Sequence, residues 1–361
     1  MILGEALPEG ACVQIVPNYP PEICGVGDYA AGLSDALRGF GVNMQTVFAT
    51  PRSVPPPERG QTVIGADSAQ LASALDPAAT VLLHFSGYGY ERHGLCDWLV
   101  DALQVWRSQP GRRHLVSIFH EVFATGPIWR RSFWTAGGQK QVAGRLARLS
   151  DACFVSSYGG AHQLRQVAPS VATEVIPVFS NVGEVTDPLA LRKRDPVGVV
   201  FGTIGPRQKV FAALRHSGVT GLETLKALGV RAVVDIGAGD AAGNLPLGLE
   251  IRRLGRLPAT EVASVLASSR VGLIDYPDHV ICKSGILAAY LAHGVLAVNT
   301  QHFRPHRDKA LHGIAYIGLE NGVSQAQQQW VATTGHEWYR GHSISQTASI
   351  ISQQLVDRRG A

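Results

Sequence analysis

Histidine, carboxylate and glycine clusters recur in this chain directly after short apolar runs. Phe119-His120-Glu121-Val122-Phe123 ends one such run. His120 is the side-chain type best suited to proton transfer near neutral pH, and Glu121 follows it. A histidine satisfied within the core is the plainer alternative. A second cluster runs from Pro17-Asn18 to Gly25-Val26-Gly27-Asp28-Tyr29. Gly25 and Gly27 lack the Cβ atoms that keep a ligand at a distance. A helix opening near Val26 offers unpaired N–H groups to a phosphate or a sugar hydroxyl. An ordinary glycine turn, with Asp28 favoured in the first helical turn, accounts for the same residues. The third glycine of the dinucleotide fingerprint is missing, its place being taken by Ala30. The stretch His84 to Arg92, HFSGYGYER, sets Tyr88 and Tyr90 around Gly89. Such a loop stacks on and hydrogen-bonds a sugar or a base, or packs as plain surface.

The second half carries two more clusters. Phe201-Gly202-Thr203-Ile204-Gly205-Pro206-Arg207-Gln208-Lys209 follows a strand-like run and opens a helix. Gly202 frees the backbone, and Arg207 and Lys209 are of the right type to pair with a diphosphate. Basic residues oppose the dipole at a helix start, which makes a purely structural role less natural. Lys283-Ser284-Gly285 also stands where a helix begins. The hydroxyl and backbone N–H groups there suit a phosphate, whereas a plain N-cap with a solvated lysine is the alternative. The Walker pattern is absent. Together, Gly202, Arg207, Lys209, Lys283, Ser284 and Gly285 describe one diphosphate pocket within one domain. Trp129-Arg130-Arg131, then Phe133-Trp134, make an amphipathic basic stretch suited to a membrane interface or a lipid-linked acceptor. Aromatics packed inward with solvated arginines read at least as well.

The elements that position these clusters follow from periodicity. Runs of four to eight apolar residues fall at 12–17, 80–86, 114–120, 152–157, 197–202, 232–237, 271–277 and 295–300. Continuous apolar runs suit parallel strands covered on both faces. Helical patterns lie between them at 27–40, 95–107, 139–149, 158–167, 208–216, 220–228, 259–268 and 284–293, with a last one at 343–356. The alternation predicts an α/β protein. Residues 181–196, with two prolines and Arg192-Lys193-Arg194-Asp195, break the rhythm. The expectation is therefore two doubly wound, Rossmann-like domains facing across a cleft. Residues 1–185 form the first and 186–342 the second, and a helix at 343–361 packs back on the first.

Composition narrows the function classes. The 361 residues are 45% hydrophobic and 17% charged, which supports large cores rather than disorder. The net charge of +4, without a basic tract, gives no reason to expect a nucleic-acid partner. Five cysteines without a CxxC pair argue against a zinc site or a disulfide framework and favour a reducing cytosol. The start lacks the pattern of a signal peptide, and no apolar run is long enough to span a bilayer. No metal and no cofactor are expected.

Asn18-Tyr19-Pro20-Pro21 with Gly25-Val26-Gly27-Asp28-Tyr29 resembles the opening loop of family-four glycosyltransferases of the GT-B fold. Leu254-Gly255-Arg256-Leu257 before Val271-Gly272-Leu273-Ile274, and Ile286 to Thr300, resemble later segments of that family. Residues 84–98 and 119–134 are similar to blocks in a bacterial subgroup. The resemblance implies a glycosyltransferase of polysaccharide biosynthesis, cytoplasmic or peripheral at the inner face of the membrane. It would move a sugar from a nucleotide-diphosphate sugar to a saccharide or lipid-linked saccharide. The second domain would hold the donor at Gly202, Lys209, Lys283 and Ser284. The first would hold the acceptor near Gly25, Val26, Gly27, Tyr88 and Tyr90. His120 would orient a hydroxyl, and an inverting reaction would draw its base from Asp28, Glu121 or His120. The lysines would neutralise the leaving diphosphate without a metal. The sequence also departs from the family. Its two glutamates would fall near Ile281 and Ala289, and Thr203 stands where its arginine would. Two rivals follow: a nucleotide-sugar epimerase or hydrolase of the same fold, and a catalytically degenerate GT-B scaffold.

Overall fold

Strand direction in two buried sheets organises this protein. The computed structural model describes residues 3–4, 10–18, 24–49, 61–125, 131–243, 248–301, 311–319 and 322–356. The chain divides into two compact units, Met1–Pro177 with Ile344–Ala361, and Val178–Ser343.

The first unit contains β1 (Leu3–Gly4), β2 (Ala11–Val16), α1 (Gly25–Arg38), β3 (Met44–Ala49), β4 (Gln61–Ile64), α2 (Ser68–Leu75) and β5 (Ala78–Phe85). A short turn of helix, α3 (Gly87–Tyr90), leads to α4 (Asp97–Ser108), β6 (His114–Phe119), α5 (Arg131–Leu149), β7 (Ala152–Val155), α6 (Tyr158–Val167) and β8 (Thr173–Val175). Among the described residues the sheet order is β1-β4-β3-β2-β5-β6-β7-β8. Every pairing is parallel except β1 with β4. All six residues of β2 and all six of β6 are buried, because helices cover both faces. One face packs on α2, α4, α5 and α6 through Leu71, Trp106, Leu146 and Leu164. Ala30 of α1 packs with Val16, Phe48 and Val63 on the other. Asp151 ties the amino edge of this sheet together. It pairs with Arg107 and His114 and accepts the Leu115 N–H.

The second unit contains β9 (Asp195–Phe201), α7 (Ile204–Ala227, broken at Gly218), β10 (Ala232–Ile236), β11 (Glu250–Gly255), α8 (Ala259–Ser268) and β12 (Ser269–Ile274). Then come α9 (Gly285–Ala292), β13 (Leu296–Asn299), β14 (Ile317–Gly318) and α10 (Gln325–Arg340). The order is β11-β10-β9-β12-β13-β14, parallel throughout. The Tyr290 hydroxyl lies 3.0 Å from the carbonyls of Val199 and of Leu273, and so joins α9 to two strands. Gly272 makes room for that ring, since a Cβ there would meet it at 2.5 Å. The last helix, α11 (Ile344–Val356), belongs to the first unit. It packs on α1, and the carbonyl of its Gln354 lies 2.9 Å from His114 Nε2.

The boundary lies at 177/178 rather than at 185/186. Residues 178–191 are bonded into the second unit by Val178 N–H to Cys282 O, Ser180 N–H to the Tyr339 hydroxyl, and Leu191 N–H to Gln329. Backbone hydrogen bonds, which the sequence does not display, decide where this irregular segment belongs.

Burial opposes the charge on Asp151, but hydrogen bonds from Arg107, His114 and the Leu115 N–H outweigh it and hold the carboxyl well below its usual range. A depressed carboxyl stabilises the fold above its unfolded value near 3.9, and that contribution is lost as pH falls through the folded value. Urea denaturation should therefore show stability falling below about pH 5. Asp151→Asn should lose about 1.5–3 kcal/mol at pH 7 and show a flatter acid limb.

Candidate functional site

In an open parallel sheet, ligands bind outside the carboxyl ends of the strands, where the strand order reverses. In the first unit that point lies between β2 and β5, and in the second between β9 and β12.

In the first unit, α1 begins at Gly25 just after β2. Its N-cap residue Cys24 makes no side-chain capping bond. Asp28 stands in the first turn, half-buried, and burial raises its carboxyl above the ordinary value. Tyr29 turns into the protein, where burial pushes its phenol up. His84 near the end of β5 and His120 just after β6 meet behind it. Their rings are near-parallel at 17° with centroids 5.5 Å apart, and His84 Nδ1 lies 3.2 Å from His120 Nε2. The Tyr29 ring stands edge-on to both, at 4.9 Å from His120 and 6.0 Å from His84. Burial and the neighbouring His120 hold His84 well below the imidazole range. Ser86 donates to Glu121 at 3.3 Å.

The structure thus brings Tyr29 and His120 together, with Asp28 adjacent on the same helical turn. It also adds His84, whose place on the pair the one-dimensional pattern does not reveal. Gly25, Val26 and Gly27 form the first turn of α1, and Gly25 faces open space. Tyr88 is 39% exposed. Tyr90 corrects its sequence reading: it is fully buried, and its hydroxyl donates to the carbonyls of Ile15 and His84. It braces the loop instead of lining a site. Gly89 allows this, because a Cβ there would meet Pro17 at 2.7 Å.

In the second unit, Gly202 follows β9 at φ +121°, a conformation that favours glycine. A Cβ on it would lie 3.1 Å from Ile286, so the N-terminal turns of α7 and α9 are neighbours. Thr203 leaves α7 without a side-chain cap. Ser284 caps α9 by accepting the Leu287 N–H at 3.2 Å and is buried there, with half-exposed Lys283 before it and Gly285 opening the helix.

Arg207 is the second correction. Its guanidinium is buried, donates to Asp235 at 2.6 Å, and also bonds the carbonyls of Ala238 and Gly239. It fastens α7 to the loop after β10 and presents no charge to a ligand. Lys209, two residues on, is exposed and lines a cavity of about 670 Å³. Ala212, Ala213 and His216 continue that face of α7, and Asp275, Asp278, His279 and Thr300 close it from the ends of β12 and β13.

Of these cavity residues the sequence reading assigned a role to Lys209 and to neither aspartate, because neither aspartate stands in a recognisable motif. Asp278 is buried, and its Oδ1 accepts from Asn299 at 2.9 Å and from the Tyr316 hydroxyl at 2.9 Å. Asp275 accepts from Thr300 at 3.1 Å. Ile281 and Ala289, where the resembled family would place glutamates, are buried apolar residues. Of the aromatic stretch, Trp129 and Arg130 lie outside the described residues. Arg131 and Phe133 are in α5, and Trp134 is 77% exposed. No helix among the described residues is long and apolar enough to cross a membrane.

The two cations of α7 should separate in a stability measurement. Arg207→Met leaves Asp235 buried without its partner and should cost about 3–5 kcal/mol by urea denaturation. Lys209→Met should stay within about 0.5 kcal/mol of the wild type. The opposite ranking would return Arg207 to the ligand-binding set.

The sequence matches no family model, and no curated protein matches it. Solved structures do match, across nearly the whole chain. An alpha-glucosyltransferase (AGT) in complex with UDP superposes with a TM-score of 0.58 at 11% identity, covering 96% of this chain and 99% of that one. The apo form of the lipopolysaccharide outer core galactosyltransferase WaaB gives 0.58 at 11%, with the same coverage. An E. coli structure described as trehalose-6-phosphate bound with UDP-2-fluoro glucose gives 0.59 at 11%, again over 96% and 99%. At such identities the likeness establishes the fold, and this chain has the two-domain α/β, Rossmann-like architecture of GT-B glycosyltransferases.

Proposed function

We propose that this protein is a glycosyltransferase that moves a sugar from a nucleotide-diphosphate sugar to a saccharide or lipid-linked saccharide. The observation that carries the reading is the cavity of about 670 Å³ at the carboxyl ends of β12 and β13. It combines a lysine with two organised carboxylates, and its volume falls within the range of small-molecule sites, roughly 300–1,000 Å³. The fold neighbours in complex with UDP or UDP-2-fluoro glucose support the same class of donor.

In this reading Lys209 faces the diphosphate, and the adjoining N-termini of α7 and α9 add oriented N–H groups. Lys283 contributes charge beside Ser284. Negative charge building on the departing diphosphate is then met by groups already in place, which supplies the role of a metal ion. Asp275 and Asp278 accept hydrogen bonds from donor hydroxyls and take over the work of the glutamates missing at Ile281 and Ala289. The Asn299 and Tyr316 bonds to Oδ1 hold the Asp278 carboxylate in one orientation.

The first unit serves the acceptor. His120 orients a hydroxyl, and Asp28, its carboxyl raised by burial, accepts the proton if the reaction inverts. A family-four type of reaction in bacterial polysaccharide assembly belongs to the same proposal. So does a cytoplasmic place, with Trp134 at the inner membrane face.

A thermal-shift panel with UDP, GDP, ADP, TDP and CMP tests the donor site. A ligand at about 100 times its Kd stabilises by roughly 2.7 kcal/mol. At about 2–4 °C per kcal/mol, one diphosphate should raise the midpoint by several degrees. Lys209→Ala should weaken that nucleotide about tenfold or more, near 1.4 kcal/mol. No shift with any nucleotide would overturn the donor assignment. Turnover of a nucleotide sugar without an acceptor would replace transfer by epimerisation or hydrolysis.

A further inference from the structure

The His84–His120 pair is built more tightly than a ligand-facing histidine alone requires. The Tyr90 hydroxyl donates to the His84 carbonyl at 2.9 Å, and the His120 N–H donates to Phe85 O at 2.9 Å. The β5–β6 register sets His84 opposite Ile118, two residues before His120. Backbone on both sides of the pair is therefore fixed. The facing ring nitrogens, 3.2 Å apart, need one hydrogen between them, neither none nor two.

Two arrangements supply it. If His120 Nε2 donates, a neutral His84 must carry its own hydrogen on Nε2. That atom is fully buried and has no hydrogen-bond partner. If His84 Nδ1 donates, the same buried Nε2 keeps only a lone pair. Orphaned buried N–H groups are rarer than under-satisfied acceptors, so the second arrangement is favoured. His120 then accepts at Nε2, and its own hydrogen stands on Nδ1.

We propose that His84 is a positioning residue that holds His120 in the neutral Nδ1–H tautomer, so that His120 meets its substrate as a hydrogen-bond donor. The hydroxyl or sugar oxygen it would meet rests on the glycosyl-transfer reading, whereas the tautomer is a property of the first unit alone. His120 then orients an oxygen and does not collect a proton through Nε2. The burden of any general base falls on Asp28 or Glu121.

The test is a long-range ¹H–¹⁵N spectrum of the full chain with ¹⁵N-labelled histidine, assigned by single-histidine variants. His84 and His120 should each show a lone-pair-type Nε2 and an N–H-type Nδ1. An N–H-type Nε2 on His84 overturns the proposal. His84→Asn places an amide donor near the position of Nδ1 and should keep His120 on Nδ1–H. His84→Phe keeps a ring without a donor and should release His120 into mixed tautomers. An unchanged His120 signature in His84→Phe also overturns it. Should His84→Phe fail to fold, the wild-type and His84→Asn spectra still decide. Where transfer is measured, kcat should fall about tenfold in His84→Phe with KM little changed, and recover in His84→Asn. The predicted tautomers in a protein that transfers no sugar would sink the functional reading and leave this one standing.

Discussion

Parallel strands buried on both faces must deliver all their carboxyl ends to one edge of the sheet, and that constraint sorts the chemistry of each unit. At the amino edge of the second unit the cations are structural. Arg194 donates to the carbonyls of Leu189, Leu266, Ser269 and His293, and burial lowers it to about 10. Arg270 bonds the carbonyls of Leu228 and Leu191 and the Gln328 side chain. Several of these carbonyls close the ends of α7, α8 and α9, where a positive charge is favoured by the helix dipole. At the opposite edge the lysine and the aspartates line open space.

Helical geometry makes the same division on a single element. Arg207, Val210, Phe211 and Leu214 face inward on α7, while Lys209, Ala212, Ala213 and His216 line the cavity. Residues 207 and 209 are about 200° apart around a 3.6-residue helix, so one cation is buried where the other is presented. Asp235 on β10 supplies the partner that the buried cation needs. A guanidinium with its fork of donors suits that enclosed role, and a flexible ammonium suits the solvated one.

The histidine pair works on the same principle in the first unit. A charge on His84 would be uncompensated in a fully buried site, so the pair is restricted to arrangements with one shared hydrogen. The edge-on Tyr29 ring shields the pair without adding a carboxylate. Restricting the protonation states of His120 restricts what it offers a substrate.

Local periodicity and glycine placement made much of this fold legible. The apolar runs at 114–120 and 232–237 became β6 and β10 within a residue, and the helices at 158–167 and 259–268 match α6 and α8. Elements with little apolar signal escaped notice. β11, EIRRLG, is an edge strand whose side chains are mostly exposed. α10 buries Gly335, His336 and Gln328 besides its few apolar residues. The sequence by itself determined the fold class, the glycine turn at Gly202 and the residue types available for chemistry. Only the tertiary structure decided which of Arg207 and Lys209 meets a ligand, that Tyr90 braces backbone, that Asp278 joins Asn299 and Tyr316, and that His84 reaches His120. The physical reason is range. Periodicity is a property of neighbouring residues, whereas these contacts join groups up to 75 residues apart and depend on strand register and helix rotation.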